Sequence, residues 1–191
     1  MNEQSNEAAF LKAAAAVLED YLLSDVLFWP LQREDGAALK GDTDQLTPGN
    51  LLLNLARFGQ KGEAEPALAD ALHKIESIRS RWRTAWRNKC QKEWEQRIKL
   101  WLGYLEELQR ERAEALPADF AFNVRQRVIL DLLNAEMDPL PEDKRLMLQS
   151  ADRLLRSLSQ PGDFVWQKDL QNRLPASSFW YLYLKTKRKN A

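Results

Sequence analysis

The chain has 191 residues, 45% of them hydrophobic and 29% charged, enough apolar material to fill a core and too much for a disordered chain. Its 28 basic and 28 acidic residues cancel, so the whole-molecule field that draws a protein to nucleic acid or to an anionic membrane is absent. A single cysteine, Cys90, excludes an internal disulfide and a thiolate zinc site, and a single histidine, His73, excludes every metal or catalytic set that needs two.

Residues 1–31 read as an N-terminal helix. Between Glu7 and Phe28 the apolar residues Phe10, Leu11, Ala14, Val17, Leu18, Tyr21, Leu22 and Val26 recur at spacings of three and four, one helical stripe that Trp29-Pro30 ends. Lys12, Glu19, Asp20 and Asp25 interrupt it and its leader is acidic, so neither a signal peptide nor a membrane span is expected and the expected location is cytoplasmic.

Residues 32–65 read as a polar loop followed by a short helix that opens at Thr47-Pro48, with threonine as N-cap and proline at the first helical position, and stops at Gly59. Residues 66–116 contain Gly103 and no proline after Pro66, which predicts one long helix of about 50 residues, roughly 75 Å at 1.5 Å per residue. A bend at Gly103 would shorten it.

Asp119 is placed to cap a helix running to about Met137, with Phe122, Gln126, Ile129, Leu130 and Leu133 on or near one face, and Asp138-Pro139-Leu140-Pro141 forces a turn. A second helix, Glu142 to Leu158, stops before Pro161-Gly162, so 119–160 reads as an antiparallel hairpin. In the C-terminal segment 161–191, the run Phe179 to Leu184 fits a helix or a strand by periodicity. A helix is expected, because no other strand offers itself as a partner. The fold class is therefore all-α: a single-domain helical bundle built round the long helix, with short β content only near the C-terminus.

Net zero charge hides segregation. Residues 1–78 carry 6 basic and 13 acidic residues, residues 79–99 carry 8 and 2, residues 100–160 carry 8 and 11, and residues 161–191 carry 6 and 2. In the basic stretch, Trp82, Trp86, Trp94 and Trp101 fall within about one third of the helix circumference together with Arg79, Arg83, Arg87 and Arg97. Two meanings fit this face. Rings can pack inside while arginine stems cross them and the guanidiniums meet carboxylates of other helices. Alternatively the face recognises a partner, because Trp and Arg dominate binding hot spots and also stack on and neutralise single-stranded nucleic acid.

Three patterns resemble chemistry without supplying it. Gly36 to Thr43 has the glycine spacing of a phosphate loop, but Asp42 stands where lysine is needed. Asp70, His73 and Glu76 have the helical spacing of a bundle metal site and lack the second histidine. Glu106, Glu107, Glu111 and Glu114 alternate with Arg110 and Arg112 as on a solvated helix face. No catalytic, cofactor or metal set is expected. The leading expectation is a non-catalytic interaction or assembly protein that self-associates through the long helix or binds another protein. The alternative is a nucleic-acid-binding module using 79–101 and the basic tail 185–189, and the third is a helical bundle holding a small ligand among the tryptophans.

Overall fold

The computed structural model describes residues 3–32, 45–58, 66–111 and 119–186. The fold is all-α, with seven helical segments among the described residues: α1 (Glu3–Leu23), α2 (Pro48–Phe58), α3 (Pro66–Arg81), α4 (Arg83–Glu111), α5 (Phe120–Asn123), α6 (Arg125–Glu136) and α7 (Glu142–Leu158). Two antiparallel pairs complete it: β1 (Trp29–Pro30) with β2 (Gln45–Leu46), and β3 (Ser159–Pro161) with β4 (Leu184–Thr186). The chain packs as two compact units, Met1–Glu93 with Ala135–Met137 and Trp94–Asn134 with Asp138–Ala191, so α4 begins in the first and continues into the second.

In the first unit α1 lies against α2 and α3. Its expected stripe is the core: Phe10, Leu11, Ala14, Leu18, Tyr21 and Leu22 are buried, facing a core that includes Leu51, Leu68, Ile75 and Ile78. The helix ends five residues earlier than the stripe suggests. Ser24 takes over the last turn, its N–H donating to Asp20 O (3.1 Å) and its hydroxyl to Tyr21 O (2.8 Å). Such local side-chain bonding competes with helix continuation. Val26 consequently belongs to a turn, not to the helical face. The pair β1–β2, carried by Trp29 packing edge-on against Tyr21 at 6.3 Å, also places β structure outside the C-terminus.

The long helix of about 50 residues resolves into α3 and α4, of 16 and 29 residues, interrupted at Trp82 rather than at Gly103. The backbone ladder survives there, with Trp82 N–H to Ile78 O and Trp86 N–H to Trp82 O both 2.9 Å. Arg81 and Trp82 both donate to Glu19 Oε1, at 3.3 and 2.9 Å. Consecutive helical residues point about 100° apart, so their convergence on one oxygen accompanies the local departure from helix.

In the second unit Trp94, Ile98, Trp101 and Leu105 of α4 share a core with Phe120, Val128, Ile129, Leu133, Leu148, Ala151, Leu155 and Tyr181. The helix expected from Asp119 to Met137 is broken at Val124, and the Asp119 side chain is no cap: it accepts from Asn123 Nδ2 (2.9 Å) instead. Phe122, expected near the apolar face, is exposed under the Arg125 guanidinium at 4.0 Å. α6 and α7 are tied by Arg127 to Asp152 through Nε at 2.8 Å and NH2 at 3.0 Å. The C-terminal run is not an α-helix. Trp180–Leu182 makes one 3-10 turn, and Leu184–Thr186 then pairs with Ser159–Pro161, the partner that residues so unlike a strand had concealed.

Gly103 and Gly162 make opposite demands. A Cβ at exposed Gly103 would meet nothing within 4 Å, whereas at Gly162 it would lie 2.8 Å from Lys185 Cβ and N. Gly103→Ala is expected to raise stability by about 0.5–1 kcal/mol through helix propensity. Gly162→Ala is expected to lower it by about 1–3 kcal/mol by forcing β4 away. Urea unfolding monitored by circular dichroism reads both.

Candidate interaction surface

The tryptophan and arginine face of α3–α4 is mostly interior. Trp86, Trp94 and Trp101 are 2%, 1% and 0% exposed, and Arg97 is buried with NH1 donating to Gln126 Oε1 at 2.9 Å. Arg79 lies over the Trp86 ring at 4.7 Å, and both donate to Glu136 Oε2, at 2.6 and 2.9 Å. Trp82 and Arg87 are half-buried, and Arg83 is exposed. At Arg79 it is the guanidinium, not the stem, that lies over the ring while it also meets a carboxylate. Trp94 Nε1 and Trp101 Nε1 are buried with no acceptor among the described residues, and Trp101 stacks on Tyr104 at 5.9 Å.

The other sequence patterns fall on the surface or outside the described residues. Asp70, His73 and Glu76 are all exposed on α3, and no group of three His, Cys, Asp or Glu among the described residues could hold a metal ion. Glu106 and Glu107 are exposed, and Gly36 to Thr43, Glu114 and most of the basic tail lie outside the described residues. Among the described residues no helix is long and apolar enough to cross a membrane.

Two charged residues that periodicity passed over organise the first unit. Glu93, fully buried on α4, accepts from Thr47 Oγ1 (2.7 Å) and Gly49 N–H (2.6 Å) at the start of α2. Thr47 Oγ1 in turn accepts Asn50 N–H at 3.0 Å, so the expected threonine cap forms and is itself capped. A carboxylate at a helix N-terminus is favoured by the unsatisfied amides and the macrodipole. One turn earlier Lys89 is buried over the Tyr21 ring at 4.3 Å and donates to Ser24 O (2.9 Å) and to Val26 O, where the chain leaves α1. Burial, and Lys92 nearby, push its pKa below the usual lysine value, against the opposing charge of Asp25. Tyr21, whose hydroxyl donates to Leu27 O at 3.0 Å, completes the clamp.

The backbone carbonyls of Ser24, Val26 and Leu27 are held from inside, and Leu27 is half-buried while Val26 and Phe28 are exposed. Leu23, Val26 and Phe28 are 59%, 50% and 41% exposed, three of the large exposed hydrophobics within six residues. Exposed leucines scattered singly need no explanation, whereas these three lie within six residues of one another. In the second unit Leu100, Phe122, Leu146 and Met147 are exposed on three different helices.

Cys90 is the one thiol and is inert in the fold: it is fully buried, and burial together with the charges of Glu136 and Glu93 pushes its pKa far above the usual thiol value. A thiol reagent at pH 8 is expected to modify the native protein at least about a hundredfold more slowly than the urea-unfolded chain, because the thiolate is the reacting species. The unfolded chain also loses the Cys90 proton first, so stability is expected to fall as pH rises past about 9. Glu93→Gln is expected to cost about 1.5–3 kcal/mol in urea unfolding, since hydrogen bonds to an ionised acceptor are the stronger kind.

No protein-family model matches the chain, and no curated protein or solved structure matches it either.

Proposed function

We propose that the chain is a non-catalytic helical assembly protein that binds a second copy of itself through the turn Leu23–Phe28. The expectation of self-association rested on an aromatic helix face in need of cover. The chain covers that face itself, through Trp86, Trp94 and Trp101. What supports an interaction role is the turn, where Leu23, Val26 and Phe28 are exposed on a backbone that Lys89 and Tyr21 hold in place. A preorganised apolar patch loses little conformational entropy on binding, so more of the burial energy appears as affinity. At roughly 25 cal/mol per Å², covering three such side chains is worth a few kcal/mol, an amount that needs surrounding polar contacts to make a stable complex.

The triple variant Leu23→Ser/Val26→Ser/Phe28→Ser is expected to sediment as a monomer at concentrations where the unaltered chain associates, with its urea midpoint little changed because these side chains are already in water. An unaltered chain that stays at the 22.2 kDa monomer mass up to millimolar concentration would overturn the proposal.

A further inference from the structure

The self-association proposed above leaves open which surface of the second copy receives the turn, and charge decides against its meeting itself. Residues 1–32 carry five acidic residues and one basic, and Asp20 and Asp25 are exposed beside the apolar side chains. A symmetric contact would bring these carboxylates together, and like charges across an interface cost affinity. The complement has to be cationic and carry some apolar or aromatic surface.

The second unit presents such a surface at the end of α7. Arg156 is exposed with its guanidinium over the Trp180 ring at 3.9 Å, and exposed Arg153 lies one turn earlier. β3 follows α7 directly and pairs with β4, which sets exposed Lys185 opposite Gln160. Trp180 and Phe179 are half-buried, and both pack edge-on against Tyr181, at 5.7 and 6.2 Å. Tyr181 is buried, and its hydroxyl donates to Asp131 Oδ2 at 2.8 Å, so the aromatic pair stands on an anchored residue. Residues 153–191 hold eight basic and two acidic residues. The basic stretch 79–99 is a poorer candidate, because Arg79, Arg81, Lys89 and Arg97 are each bonded to another element, whereas Arg153 donates to Ser150 Oγ on its own helix at 2.8 Å, and because three of the nearby rings are buried.

We infer that the acidic, apolar turn Leu23–Phe28 of one copy docks on the basic, aromatic corner formed by Arg153, Arg156, Trp180 and Lys185 of another. The contact is heterologous: each copy keeps one face of each kind free, so association continues from copy to copy unless it closes into a ring. A second copy is preferred to nucleic acid as the occupant because the chain is neutral overall and carries the matching acidic surface itself, so no long-range field favours a polyanion.

The test uses two full-length variants, Asp20→Lys/Asp25→Lys and Arg153→Glu/Arg156→Glu, all at exposed positions, with circular dichroism and urea midpoints checking that both fold. Each alone is expected to associate at least about tenfold more weakly than the unaltered chain. Mixed in equal amounts, they offer one intact pair of faces and a second pair whose charges are reversed and again complementary, so association is expected to return toward that of the unaltered chain and to weaken as salt rises. Lys185→Glu replaces the second variant if that one fails to fold. An unaltered chain that associates while the mixture stays monomeric overturns this docking arrangement and leaves self-association standing, whereas an unaltered chain that never associates overturns both. A single-stranded oligonucleotide retained by the unaltered chain and released by Arg153→Glu/Arg156→Glu, with no complex in the mixture, overturns the arrangement and assigns the corner to nucleic acid.

Discussion

Two buried charges one turn apart on α4 set the geometry of the first unit. Lys89 meets backbone carbonyls where the chain leaves α1, and Glu93 meets the hydroxyl and amide that open α2. Each sits at the helix end whose partial charge opposes its own, an arrangement that recovers part of the desolvation that burying an ion costs. The two contacts fix where α1 stops and where α2 starts. Leu23, Val26 and Phe28 lie exposed where the chain leaves α1 beside these contacts.

The second unit uses a different device for a similar end. Arg127 on α6 binds Asp131 on the same helix and Asp152 on α7, and lies over the Tyr181 ring at 4.7 Å. Burial alone would lower the pKa of Arg127, but the hydrogen bond to Asp152 and the charge of Asp131 hold it raised and the guanidinium charged. Tyr181 is pushed up by burial and by Asp131, so it remains a phenol that donates. Such a network works as a whole, because removing one member leaves another charge buried and uncompensated. Its effect is to anchor a C-terminal segment with little regular structure and to bring Trp180 under Arg156.

Charge in this protein is thus divided between two tasks. The mid-chain cations and several carboxylates, Glu19, Glu93, Glu136 and Asp152 among them, are consumed in fixing helices to one another within each unit. Along the sequence the charge is segregated, acidic toward the beginning and basic toward the end. Among the aromatic side chains, Trp86, Trp94 and Trp101 serve the core, while Trp180 stands half-buried under the Arg156 guanidinium.

The sequence by itself determined the all-α class, the interior stripe of α1, the limits of α2 and α7 and the turn between α6 and α7, and it led to the expectation of a common face for four tryptophans. All of these follow from periodicity, proline and glycine placement and capping, which act within a few residues. It did not determine that most of that face is interior, that α3 and α4 part at Trp82, that Ser159–Pro161 is a strand, or that Lys89 and Glu93 are buried. Each of these depends on a partner far away in the chain: Glu19 for Arg81 and Trp82, Leu184–Thr186 for Ser159–Pro161, Ser24 and Val26 for Lys89, Thr47 and Gly49 for Glu93. A lysine or glutamate on a helix reads locally as a solvated residue, and only the backbone ends that tertiary folding brings to it make its burial favourable.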